Sequence, residues 1–155
     1  MKLQAMFRRS IESDAPGAIM FIRVLVGGVF LSEGIQKFIF PDTLGVGRFA
    51  KIGIPSPEIL APFVGVCEIV CGVLFLLGLL TRFAALVMMI DIIVAIASTK
   101  IPMLGDQGFW AVAHDGRADY AMILGCFFLF LAGGGTWSVD AIIHRVWLPS
   151  NGADR

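Results

Sequence analysis

Four apolar stretches, each bounded by turn residues and each carrying a carboxylate, dominate this chain. They cover about residues 18–40, 59–80, 83–99 and 118–132. A bilayer core of about 30 Å is crossed by about 20 helical residues, whereas a crossing β-strand needs only about 9–11. The runs are too long and too continuous for strands, and a helix satisfies its own backbone polar groups in lipid. The pattern predicts an all-α membrane protein: a four-transmembrane-helix bundle with an amphipathic C-terminal interfacial helix.

Composition excludes the main alternatives. Hydrophobic residues make up 57% of the 155 and charged residues 15%, against about 45–50% and about 25% in soluble domains. Mean hydropathy is +0.86, more apolar surface than a soluble domain of this size can bury. Twelve basic and twelve acidic residues cancel, so no surplus charge attracts nucleic acid. Three cysteines in apolar surroundings do not make a secreted disulfide framework.

Three regions follow: residues 1–17 as a cytoplasmic N-terminal tail, 18–133 as the four-helix transmembrane domain, and 134–155 as interfacial helix and C-terminal tail. Pro16-Gly17 precedes the first span. Ser56-Pro57 opens the second, with serine placed to cap and proline in the first helical position. Residues 78–82 leave almost no loop between the second and third spans, which predicts a tight antiparallel hairpin. Gly133-Gly134-Gly135 ends the fourth. The connection 41–57 carries Leu44, Phe49 and Ile52 beside Arg48 and Lys51 and is expected along the interface. The connection 100–117 holds Phe109, Trp110 and His114. In the tail, Val139, Ile142, Ile143, Val146 and Trp147 recur at helical spacing, with Asp140, His144 and Arg145 on the other side. Arg23 interrupts any signal-peptide core, so no cleavable leader is expected. Basic residues number six on the side of the termini (Lys2, Arg8, Arg9, Arg82, Arg145, Arg155) and four on the other (Arg48, Lys51, Lys100, Arg117). That bias predicts cytoplasmic termini.

The ionisable residues within the spans are the informative ones, because each costs about 2.5–3.5 kcal/mol to insert. They are Glu33, Glu68, Asp91 and Asp119, with Arg23 and Lys37 added on the first span. At 100° per residue, Arg23, Glu33 and Lys37 fall within roughly an 80° arc. Glu68 shares a face with Ala61, Gly65, Cys71 and Gly72, Asp91 with Ala84, Ala95 and Ser98, and Asp119 with Cys126 and Gly133. Small-residue stripes mark helix contacts in membranes, so the charges are expected to face the bundle interior. Depth places a polar pocket in the half of the bundle away from the termini, with Arg23, Lys37 and Glu68 at its core and His114 at its mouth. A purely structural role competes with this. Glu33 and Lys37 stand i,i+4 and can neutralise each other, and buried carboxyls can act as hydrogen-bonded glue between helices.

Other chemistries fail on spacing. A di-iron bundle site needs Glu-x-x-His pairs, but the two histidines, His114 and His144, lie outside the spans, so no metal site is expected. Cys67 and Cys71 stand i,i+4, not at redox spacing, and read with Cys126 as packing residues. There is no nucleotide fingerprint and no haem motif, so no cofactor is encoded.

The ordered set Arg23; Gly34-Ile35-Gln36-Lys37; Gly53-Ile54-Pro55; Glu68 with Gly72; Gly78-Leu79-Leu80-Thr81-Arg82; and Gly133-Gly134-Gly135 with Ser138-Val139-Asp140 resembles the DoxX family over about residues 18–143. The resemblance implies a multi-pass protein of the bacterial inner membrane. Related members form the membrane part of thiosulfate:quinone oxidoreductases, others associate with soluble redox enzymes, and many have no assigned activity. Arg23, Lys37 and Glu68 match the family's recurring polar positions, and Asp119 stands where relatives often carry glutamate. The family supplies no established catalytic residue to carry over.

Three roles fit these observations. One is an integral membrane subunit of a redox-linked complex that binds a quinone, the membrane component of a quinone-linked oxidoreductase. Another is a non-catalytic anchor or assembly subunit. The third is a small proton-coupled carrier, although neither inverted repeats nor broken helices are evident. The expected partners are the lipid bilayer and other protein subunits or further copies of the chain.

Overall fold

The computed structural model describes residues 17–147. The expected tails, and with them Lys2, Arg8, Arg9 and Arg155, lie outside the described residues. Among the described residues seven helices appear in order: α1 (Ile19–Ile39), α2 (Val46–Lys51), α3 (Pro57–Leu77), α4 (Thr81–Gln107), α5 (Phe109–Asp115), α6 (Arg117–Ala132) and α7 (Val139–Trp147). There is no strand among the described residues. Helices α1, α3, α4 and α6 build the bundle, with α1 against α3 and α4 against α6 as the largest pairings.

Three of these helices, not the expected four, are long and apolar enough to cross a membrane: α1, α3 and α4, with 21, 21 and 27 residues. Helix α6 has 16 residues. At 1.5 Å per residue that is about 24 Å, short of a bilayer core of about 30 Å. Helix α4 differs in the other direction, running past the expected end at Thr99 and through Pro102 to Gln107. Hydropathy marks where an apolar run stops, and helical hydrogen bonding continues beyond it.

The α1–α3 contact is built on glycine. A Cβ on Gly34 would lie 2.7 Å from the Gly65 carbonyl oxygen, and one on Gly72 would lie 2.8 Å from the Leu31 backbone nitrogen. Backbone therefore meets backbone, the close approach that small-residue stripes permit in membranes. Val26, Phe75, Met88, Cys126 and Leu129 are fully enclosed between the helices, whereas Phe21, Ile59, Phe63 and Phe83 point outward. The three cysteines are free thiols.

The turns follow the sequence with two differences. Gly78 and Leu80, both left-handed at φ 67° and 48°, turn α3 into α4 within three residues, and Gly133 closes α6. Ser56 stands at the start of α3 with Pro57 as its first residue, but its hydroxyl makes no capping bond. Its φ of 48° departs from the β-region backbone that a capping serine uses. The connection 41–57 also departs from expectation. It folds into α2, and Leu44, Phe49 and Ile52 turn toward the bundle and line a cavity instead of simply lying along the interface.

Helix α7 is amphipathic, with Ile142 and Val146 exposed and Ala141 buried. Asp140 departs from the expected polar face and is 1% exposed. Its carboxylate accepts from the backbone N–H groups of Leu80 at 2.9 Å and Thr81 at 3.2 Å, and its own N–H donates to the Gly78 carbonyl at 3.0 Å. The start of α4 thus takes its cap from a residue 59 positions away.

Candidate functional site

A cavity of about 260 Å³ opens between α1, α2, α3, α4 and α6, in the half of the bundle remote from the α3–α4 turn. Its walls are mainly apolar, with Phe30, Phe49, Ile92 and Met122 among them. Charged side chains reach it from all five helices: Glu33 and Lys37 from α1, Arg48 from α2, Glu68 from α3, Asp91 from α4 and Asp119 from α6.

At its buried end, Lys37 Nζ donates to Glu68 Oε1 at 2.8 Å and lies 2.6 Å from Oε2. The two side chains are 12% and 6% exposed. The stripe geometry explains the placement, since Ala61, Gly65, Cys71 and Gly72 on the same side of α3 are buried with Glu68. Asp91 on α4 lines the same cavity. A buried charge is tolerated when it is paired and hydrogen-bonded, and the Lys37–Glu68 pair meets both conditions.

At the mouth, Lys100 Nζ pairs with the exposed carboxylate of Asp115 and lies 3.3 Å from Asp119 Oδ2. The hydrogen bond from Lys100 holds the Asp115 carboxyl below the usual aspartate range, with smaller contributions from Arg117 and Arg48. Asp119 therefore belongs both to the cavity wall and to the surface ion cluster.

The structure separates two residues from the other five. Arg23, expected at the core of the same pocket, lies fourteen residues before Lys37 on α1, about 21 Å along the axis at 1.5 Å per residue. A shared arc on one helix face does not mean a shared depth. Arg23 is 1% exposed, donates through Nη2 to the Trp137 carbonyl, and has Asp140 as its electrostatic partner. It fastens the segment before α7 to the bundle. His114 lies on α5 and is exposed. Its carbonyl accepts from the Arg117 guanidinium, and it does not line the cavity. Two participants escaped the sequence reading of the site. Arg48 reaches the cavity because α2 folds back over it. Asp140, placed on a solvent face by periodicity, anchors the opposite end; burial pushes its carboxyl above the usual aspartate range, and the Leu80 and Thr81 N–H groups oppose that shift. Its position beside Ser138 after the triple glycine was the available signal.

The DoxX family model matches residues 18–101 of the chain. The chain belongs to the DoxX family. The match stops before α5, so the DoxX model covers α1 to most of α4, and the Gly133–Asp140 segment lies outside it. An uncharacterised membrane protein of Mycobacterium tuberculosis is 51% identical over 143 residues, covering 88% of each chain. An uncharacterised protein of Haemophilus influenzae is 29% identical over 134 residues, 84% of this chain and 94% of its own length. CatD of Bacillus subtilis, provisionally named an oxidoreductase, is 27% identical over 128 residues, 81% of this DoxX chain and 87% of its own length. No solved structure matches the chain.

Proposed function

We propose that this DoxX-family chain is the membrane subunit of a redox-linked complex and that its cavity receives the headgroup of a quinone. The observation that carries this reading is the cavity itself, an apolar slot ending in the Lys37–Glu68 pair. Its volume of about 260 Å³ is just below the range of about 300–1,000 Å³ for small-molecule sites, which suits one ring-sized headgroup. The Lys37 ammonium is a donor for a quinone carbonyl, and the carboxyls accept from a quinol hydroxyl. The oxidoreductase name of CatD agrees with a redox setting. On this reading electrons pass between the bound carrier and a partner oxidoreductase, and this chain holds the carrier and handles its protons. The protein resides in the bacterial plasma membrane with its termini in the cytoplasm. Helix α6 completes a fourth crossing, and α7 lies in the interface.

The test is binding of decylubiquinone and of a short-chain menaquinone to the purified protein in nanodiscs. Saturable binding of either is expected, weakened at least about tenfold by Lys37→Met, the loss of one hydrogen bond to a charged group being worth about 1.5–3 kcal/mol. Glu58→Ala, an exposed position at the start of α3, leaves binding unchanged. Absence of saturable binding, or equal binding by Lys37→Met, overturns the reading. A native-membrane pull-down that returns partner subunits without quinone then favours the anchor role.

A further inference from the structure

Val94 on α4 belongs to two surfaces at once. It lines the cavity, yet it is 52% exposed. Ile90 and Ile101, within about 40° of it round the helix, are exposed as well, so this is the outer side of α4. We propose that the gap between α3 and α4 is a portal to the bilayer, through which the carrier enters and in which its long apolar tail stays. This rests on the quinone reading of the cavity. It adds the class of carrier, one with a prenyl or alkyl tail, and the route by which it arrives.

Helix α4 packs between α3 and α6. Lys100 marks its α6 side, because the ammonium lies 3.3 Å from Asp119. Asp91, Val94 and Ser98 stand about 120–180° round the axis from Lys100, which sets them on the α3 side. All three line the cavity and none is buried. Asp91 and Ser98 lie nearer the side of Met88 and Ile92, so Val94 forms the outer rim. On α3, Val64 lines the cavity too. It stands about 80–100° round from Gly65 and Gly72, the glycines that meet α1. The two valines are equally far from the α3–α4 turn. Val64 lies thirteen residues before Leu77 and Val94 thirteen after Thr81, about 20 Å along each helix at 1.5 Å per residue. The hydrocarbon core is about 30 Å thick, so the gap opens onto lipid and not onto water.

Size and polarity point the same way. A cavity of about 260 Å³ suits a ring-sized headgroup, so a long tail has to lie outside it. Val64 stands one turn from Glu68 on α3, and a ring carbonyl held at the Lys37–Glu68 pair brings the first tail carbons close to the gap. The other ways out are polar. Glu33 and Asp119 border the space between α1 and α6, and Lys100 with Asp115 stands at the aqueous mouth. A tail drawn past those charges leaves lipid and gains no hydrogen bond. Between Val64 and Val94 it keeps apolar contact throughout and never enters water.

The test is photolabelling in nanodiscs with a benzoquinone whose alkyl tail carries a diazirine next to the ring, and with decylubiquinone as competitor. Peptide mass spectrometry is expected to place competable labels on α3 near Val64 and on α4 near Val94. Labels confined to α1 and α6, near Val29 and Met122, overturn the portal and leave the quinone site standing, as does saturable decylubiquinone binding with no label on α3 or α4. Absence of both labels and saturable binding overturns the quinone reading itself. Val94→Trp fills the gap. It is expected to slow decylubiquinone association at least about tenfold, the low end of the range over which on-rates vary among variants of one site. Association of a tailless benzoquinone, which reaches the cavity from water, stays unchanged. Ile93→Trp, at a position that is 55% exposed and does not line the cavity, alters neither rate. Unchanged decylubiquinone association in Val94→Trp overturns the portal. So does equal slowing of both quinones, which marks a disturbed headgroup site and not a blocked tail.

Discussion

Replacing Lys37 by methionine isolates the energetic centre of the cavity. The substitution keeps the length of the side chain and removes the ammonium, which leaves Glu68 with its side chain 6% exposed and without the cation 2.6–2.8 Å away. Removing one member of a buried ion pair costs about 3–5 kcal/mol, because the desolvated partner is left uncompensated. Against a total stability of about 5–15 kcal/mol, that is about a fifth or more of what holds a typical domain folded. Glu68→Gln costs less, since the amide keeps the shape and hydrogen-bonding capacity of the side chain, and the Lys37 stem can carry its charge toward the mouth. In Lys37→Met/Glu68→Gln neither charge remains, so the double variant is expected to recover most of the loss. The measurement is a double-mutant cycle from equilibrium unfolding in mixed micelles, with the exposed Glu58→Ala as reference, expected within about 0.5 kcal/mol of the wild type. A Lys37→Met cost below about 1 kcal/mol, or strict additivity of the two changes, refutes the view that the pair is desolvated and coupled. If both single variants fold and the host complex works normally, the cavity has no functional role and the subunit is an anchor.

Three further outcomes are expected. Gly72→Ala places a methyl 2.8 Å from the Leu31 nitrogen and 2.9 Å from the Gly27 carbonyl oxygen, so α1 must move off α3 at a cost of about 1–3 kcal/mol; faster unfolding and weaker cross-linking between paired cysteines on the two helices read this out. Asp140→Ala leaves the N–H groups of Leu80 and Thr81 without their acceptor at about 1–3 kcal/mol for a buried unsatisfied group, visible as faster amide exchange at those two residues and earlier proteolysis before α7. Asp115, held low mainly by the hydrogen bond from Lys100, adds stability that is present above the ordinary aspartate value of about 3.9 and is lost as pH falls through its lowered value. Asp115→Asn should remove that acid step from the unfolding profile, and an unchanged profile would count against the pairing.

Much of the architecture follows from periodicity alone. A helix that must bury a carboxylate in lipid turns it toward its small residues, so the faces carrying Glu68 and the glycines of α1 and α3 are legible from spacing. The turns at Gly78 and Gly133 are legible for the same local reason, as left-handed backbone favours glycine. Tertiary structure decided the rest. Spacing gives the angle of Arg23 around α1 but not its partner, and the partner is Trp137, 114 residues away. Hydropathy cannot show that residues 41–57 fold over the bundle end and bring Arg48 to a cavity, because that depends on where α2 packs. Amphipathicity set Asp140 on the polar side of α7, yet it is buried, because the unsatisfied N–H groups at the start of α4 hold it there. Local pattern determined which side of each helix faces inward. Which inward residues meet was decided only when five helices set their depths against one another.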